Sequence, residues 1–181
     1  YFAFMFGGML RRAACRLRPY EVCAGSVDEV IEDGLKLFVD AFQGLSSRED
    51  VLKAVIDRLR AIPLKSESRP RVAIFGDLYV RDNDAMNQGL ISFIEACGGE
   101  VITTPYSSYA KMVSRPYFRK WFNEGKYVRS FSCRAVLSAL TALEKKYYRY
   151  FQQVLREPDH EFNDPAGNVL APYRIRNEHS G

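Results

Sequence analysis

Residues 69–84, Arg-Pro-Arg-Val-Ala-Ile-Phe-Gly-Asp-Leu-Tyr-Val-Arg-Asp-Asn-Asp, constrain this chain more than any other stretch. The apolar run Val72 to Phe75 includes β-branched residues, stops at Gly76 and gives way to polar groups from Asp77 to Asn83. A strand buried on both faces leaves that pattern at its carboxyl end. A helical stripe follows, made of Met86, Leu90, Ile91, Phe93 and Ile94, with Asn83 or Asp84 as its cap and Gly98 as its stop. Gly98-Gly99-Glu-Val-Ile-Thr-Thr-Pro105 then reads as a second strand. Strand, loop, helix and strand form one βαβ unit, because a parallel pair needs a helical crossover. The expected fold is therefore α/β, Rossmann-like or flavodoxin-like, with a small parallel sheet and a helical N-terminal portion.

In open α/β sheets, ligands bind at the carboxyl ends of strands. This makes Asp77, Tyr79, Arg81, Asn83 and Asn87 the candidate ligand- or partner-binding residues. The helix N-terminus there offers free N–H donors and a partial positive charge, which suits an anion beside an exposed Arg81. Neither a G-x-G-x-x-G turn nor a P-loop is present to cradle phosphate. The plainer reading of the same residues is that Asp77 and Asn83 cap turns, Tyr79 packs and Arg81 pairs locally.

Upstream, Ala3 to Leu17 reads as a helix closed by Arg18-Pro19. Ser26-Val-Asp-Glu29 reads as a capping box before the stripe Val27, Val30, Ile31, Leu35, Phe38 and Phe42. Ser46-Ser-Arg-Glu49 caps the next helix, which Pro63 ends. The polar connector Lys65 to Pro70 divides a helical N-terminal portion, 1–64, from an α/β part, 70–181. Ser107 to Lys126 reads as irregular, as two short helices. A long helix is predicted over Ser132 to Leu155, and its Tyr147-Tyr-Arg-Tyr-Phe151 end is aromatic on nearly every side. Such a helix is either buried on several sides or meets a partner.

At 47% hydrophobic and 27% charged residues, the chain has the balance of an ordinary globular protein, and a net charge of +4 does not demand a nucleic-acid partner. Basic residues from Lys111 to Arg134 do alternate with Tyr117, Phe118, Trp121 and Tyr127. This is either a solvated helix face or a nucleic-acid-binding module that stacks bases on its rings. The apolar start, Tyr1 to Leu10, is no signal peptide, because Arg11 and Arg12 follow the run instead of preceding it. It also falls far short of the ~20 residues that span a bilayer. The chain opens at Tyr1 and not Met, and reads as a piece of a longer protein.

Cys15, Cys23, Cys97 and Cys133 are scattered without a C-x-x-C pair, so a structural role in a cytoplasmic protein is expected. Cys97 in particular falls on the apolar side of its helix. Asp159, His160 and Glu161 could contact a metal but read as solvated. No residue set for nucleophilic catalysis is evident.

Gly76, Asp77, Leu78, Tyr79, Val80, Arg81 and Asn83 make a Gly-acidic-apolar-Tyr-Val-Arg turn with a following Asn, and Arg18-Pro-Tyr-Glu21 precedes it. Together these resemble the component-D family of 2-hydroxyglutaryl-CoA dehydratases, which includes the activase-related iron–sulfur proteins. The resemblance implies a parent with a [4Fe–4S] cluster on cysteine thiolates and an ATP-hydrolysing activase as partner. No cysteine here matches a ligand position, so no cofactor is expected in this chain; the ligands would lie upstream of Tyr1 and downstream of Gly181. The chain itself is then a scaffold or partner-docking part of an ATP-driven low-potential electron-transfer system. A second copy could cover an incomplete sheet edge.

Overall fold

A computed structural model describes residues 1–155 apart from 75, 104 and 105. Helix α1 (Phe2–Leu17) runs into a 3-10 turn (Arg18–Tyr20), then α2 (Ser26–Phe42) and α3 (Arg48–Ala61). Strand β1 (Arg71–Ala73) is followed by three short helices, α4 (Leu78–Arg81), α5 (Asp84–Asn87) and α6 (Leu90–Ala96), and by β2 (Glu100–Ile102). Two long helices complete the described chain, α7 (Tyr106–Asn123) and α8 (Tyr127–Leu155).

The βαβ unit exists, with β1 and β2 parallel and Val72 opposite Val101. The Rossmann-like or flavodoxin-like α/β fold does not: among the described residues the protein is mostly helical and its sheet has two strands. The reason lies in what covers what. Helix α1 is apolar on nearly every side, and Met5, Phe6, Met9, Leu10 and Ala13 are all buried. They meet Val27 and Phe38 of α2, Leu52, Val55 and Ile56 of α3, and Tyr147, Phe151 and Leu155 of α8. Three-residue strands cannot cover that much apolar surface; other helices do. The aromatic end of α8 is thus buried among α1 and its neighbours, as Phe6 sits 5.0 Å from Phe38 and 5.1 Å from Tyr147. Residues from both sides of the Lys65–Pro70 connector build this one core.

A smaller cluster of Cys15, Ile74, Ile91 and Val101 fastens the sheet to the other side of α1. Strand β2 is buried, whereas Arg71, Val72 and Ala73 of β1 are exposed. The expected burial of the first strand on both faces therefore fails at Val72 and Ala73, whereas Ile74 is buried; Phe75 lies outside the described residues.

Local capping differs from expectation in an instructive way. Ser26 does not cap α2; Gly25 holds the N-cap position at φ +89°, and the Glu21 carboxylate accepts from Gly25 N (2.7 Å) and Val27 N (2.9 Å). A carboxylate at that end also faces the positive pole of the helix. At α3 the cap is Ser47, accepting from Asp50 N at 3.4 Å, one residue later than the predicted Ser46. The stretch 107–126 carries one helix, Tyr106–Asn123, with Pro116 inside it, not two short ones. In place of one helix over 84–96, Gln88 (φ +56°) and Gly89 (φ +69°) break the run between α5 and α6. Gly98, at φ +87°, ends α6 as predicted, with Gly99 N donating to Ile94 O at 2.9 Å.

Between α3 and α8, Glu49 accepts from Lys146 Nζ (3.0 Å) and Tyr150 Oη (2.8 Å), with Lys53 Nζ 3.3 Å away. The Lys146 bond, then those of Tyr150 and Lys53, hold its carboxyl down at about 2, against an ordinary 4.5. A depressed carboxyl pKa adds stability that is present above pH ~4.5 and lost as pH falls toward 2. Acid titration of the melting temperature should thus be shallower for Glu49→Gln across that window. Identical acid slopes for the two proteins would rule the contribution out.

Candidate functional site

The turn after β1 is built by its own polar side chains. Asp77 Oδ1 accepts from Tyr79 N at 2.9 Å, and Asp77 O accepts from Arg81 N at 2.8 Å, so the predicted loop is a helical turn. Asn83 Oδ1 accepts from Ala85 N (3.0 Å) and Met86 N (3.3 Å), which caps α5 as the plainer reading held. Asn87 spans the broken helix: its Nδ2 donates to Arg81 O at 2.8 Å and its Oδ1 accepts from Leu90 N at 3.2 Å.

Arg81 is not an exposed loop arginine. It is 5% exposed, and its guanidinium binds Asp82 through Nε (3.2 Å) and Nη2 (2.7 Å). Arg11 of α1 clamps the same place, donating to Asp82 O at 2.9 Å. A buried guanidinium in contact with a carboxylate is a structural brace, so truncating it endangers the fold. Tyr79 does the opposite of packing: it is 79% exposed. Of the five candidates, Asp77, Asn83, Asn87 and Arg81 shape the turn through their hydrogen bonds, while the Tyr79 ring stands out in solvent. Val80, Met86 and Phe93 are also exposed, so this short segment presents four large apolar side chains to solvent.

Beside the turn, α1, α2 and the α5–α6 segment line an open pocket of about 270 Å³, with Arg11, Cys15, Arg18, Asp28, Asp84 and Glu95 among its walls. Arg18 donates to both Glu95 oxygens at 3.0 Å and to Asp28 at 3.0 Å. Burial works against charge on Arg18, but Glu95 and Asp28 outweigh it and its pKa is raised. Burial of Cys15, reinforced by Glu95, pushes its thiol up to about 11. At neutral pH that thiol is protonated and a weak nucleophile. Cys97 does not pack as expected; it is exposed at the C-cap of α6.

A second polar cluster, which sequence reasoning missed, is centred on Glu100. This residue is 2% exposed in the middle of the molecule. Its carboxylate accepts from Tyr20 Oη at 2.7 Å and pairs with Arg16 and with Arg71 Nε (3.2 Å). Burial and the Glu100 carboxylate together raise the Tyr20 pKa. The Arg18-Pro-Tyr-Glu21 segment is thus a junction: Arg18 reaches α6, Tyr20 reaches β2, and Glu21 caps α2. One usable signal was available, a glutamate placed inside an apolar strand, which demands a buried partner.

Among the described residues, no three or more His, Cys, Asp or Glu side chains are grouped to hold a metal ion. Cys15, Cys23, Cys97 and Cys133 are free and dispersed, so they do not fit the four converging thiolates of a [4Fe–4S] cluster. Asp159, His160 and Glu161 lie outside the described residues. No helix among those described is long and apolar enough to cross a membrane. No family model, curated protein or solved structure matches this chain.

Proposed function

We propose that the chain is a scaffold and partner-docking part of a component-D-like protein of the 2-hydroxyacyl-CoA dehydratase system, presenting the segment 77–93 to an ATP-hydrolysing activase. The observation that carries the docking reading is the contrast within that segment. Its backbone is held by Asp77, Asn83 and Asn87, while Tyr79, Val80, Met86 and Phe93 stand in solvent. A turn braced by Arg81 and Arg11 loses little conformational entropy when a partner covers it. Exposed tyrosine on a rigid element is a common anchor of protein interfaces. The association with the activase system itself rests on the resemblance of the Gly76–Asn83 and Arg18–Glu21 stretches.

Calorimetric titration with a purified activase of this system, in its ADP and ATP states, tests the reading. Binding is expected, and Tyr79→Ala should weaken it by 10-fold or more, about 1.4 kcal/mol, with an unchanged melting temperature. Equal affinity for wild type and Tyr79→Ala would remove the segment from the interface. No binding in either nucleotide state would remove the partner.

A further inference from the structure

The segment 77–93 carries a charge pattern that restricts what can cover it. Its large exposed apolar side chains come with three acidic residues, Asp77, Asp82 and Asp84, and one basic residue, Arg81. Arg81 is buried and bound to Asp82, so it is no surface cation. That pairing leaves Asp77 and Asp84, both exposed and, among the described residues, without an ion pair. After Arg81 the chain has no lysine, arginine or histidine until Lys111, which is itself paired with Glu144.

The open pocket beside the segment has the same sign. Asp84 and Ser92 belong to both, since they line the pocket while Met86 and Phe93 follow them closely in the chain. The pocket walls carry three carboxylates, Asp28, Asp84 and Glu95, against two guanidiniums. Arg18 is shared between Asp28 and Glu95, and Arg11 is held at Asp82, so neither serves Asp84. Burial, with Asp28 and Glu21 nearby, raises the Glu95 pKa against the opposing pull of Arg18, as in a site short of positive charge. At about 270 Å³ the pocket falls below the ~300–1,000 Å³ of small-molecule sites and suits one inserted side chain.

These charges select among occupants. A nucleic acid or an anionic lipid would bring phosphate against unpaired aspartates. A second copy meeting this segment with its own would set Asp77 and Asp84 against like charges, which repulsion opposes. On the reading that segment 77–93 is the docking surface, we infer that the partner is a protein with a basic–apolar contact surface, whose apolar side chains cover Tyr79, Met86 and Phe93 while a lysine or arginine enters the pocket beside Asp84. The frame is fixed before contact, because Asn87 ties Arg81 O to Leu90 N. Apolar area supplies the affinity, and the two aspartates supply selectivity and a salt-dependent attraction.

Neutral replacements isolate the charge. Asp77→Asn keeps the side-chain oxygen that accepts from Tyr79 N, and the Asp84 carboxylate makes no hydrogen bond among the described residues. Asp77→Asn/Asp84→Asn should therefore melt with wild type. In titrations with the purified activase, this double variant should bind at least about 10-fold more weakly at low salt, and added salt should bring wild type down toward it. If Tyr79→Ala weakens the activase complex but salt and the double variant do not, docking at 77–93 stands and the basic surface is overturned. Binding that neither Tyr79→Ala nor the double variant weakens overturns both. If the activase does not bind at all, that partner falls, and two dye-labelled helical peptides followed by fluorescence anisotropy decide the inference. They share a Leu/Met face and differ in carrying Lys or Glu flanks. Saturable binding of the Lys-flanked peptide, lost with Tyr79→Ala and with the double variant, upholds the basic–apolar surface. Equal binding of the two peptides, or none, overturns it. Self-association of the chain that the double variant abolishes also overturns it and assigns the segment to a second copy.

Discussion

Phe151→Ala is expected to lower the unfolding free energy by about 3–5 kcal/mol, the range for truncating a fully buried phenylalanine. Phe151 is 0% exposed and belongs to the cluster that joins α1, α2, α3 and α8. The cavity it leaves would be walled by side chains from four helices, which cannot all close on it at once without disturbing their own packing. Urea denaturation with tryptophan fluorescence and far-UV circular dichroism measures the loss. The same residue tests how the chain is organised. If the N-terminal helices fold apart from the rest, a substitution in α8 should leave their transition untouched. If the core is shared, both probes should shift together to lower urea. Two separated transitions, one of them wild-type in position, would refute the shared core.

Glu100→Ala should cost roughly 3 kcal/mol, since hydrogen bonds to charged groups contribute about 1.5–3 kcal/mol each and the buried Tyr20 hydroxyl loses its acceptor. Arg16 and Arg71 are more exposed than Glu100 and can turn to water, which limits the loss. The Tyr20 bond is the decisive part. In a double-mutant cycle, Tyr20→Phe should destabilise wild type but add little once Glu100 is gone, with a coupling of about 1–2 kcal/mol. Fully additive effects would mean that the 2.7 Å contact contributes nothing in solution. Loss of Glu100 should also loosen the sheet relative to α1, seen as faster amide exchange at Val101 and Ile102.

These two residues mark the boundary between what could be read and what could not. Phe151 was legible as interior, because an α8 turn with Tyr147, Tyr148, Tyr150 and Phe151 is aromatic nearly all round. That it joins residues of α1, α2 and α3 in one core was not, since those residues are remote along the chain. Glu100 was legible only as an anomaly within a strand. Its partners come from the end of α1, from the 3-10 turn and from β1, and only folding brings those together.

The turn at 77–87 divides the same way. Asn83 as a cap follows from local chemistry, because an Asx side chain reaches N–H groups two and three residues on whatever the rest of the fold does. Arg81 does not follow, because burial of a guanidinium depends on Asp82 and on the distant Arg11 arriving at the same spot.

The sequence by itself determined helices α1 to α3, the stops at Pro19, Pro63 and Gly98, and the parallel βαβ unit, all of which rest on interactions spanning a few residues or on one short crossover. Tertiary structure alone decided that the molecule is a helical assembly with a two-stranded sheet at its side, and not a Rossmann-like or flavodoxin-like sheet with helices around it. A βαβ unit is compatible with either architecture. The choice depends on how much apolar surface α1 and α8 must hide, and helices close to one another hide it better than three-residue strands can.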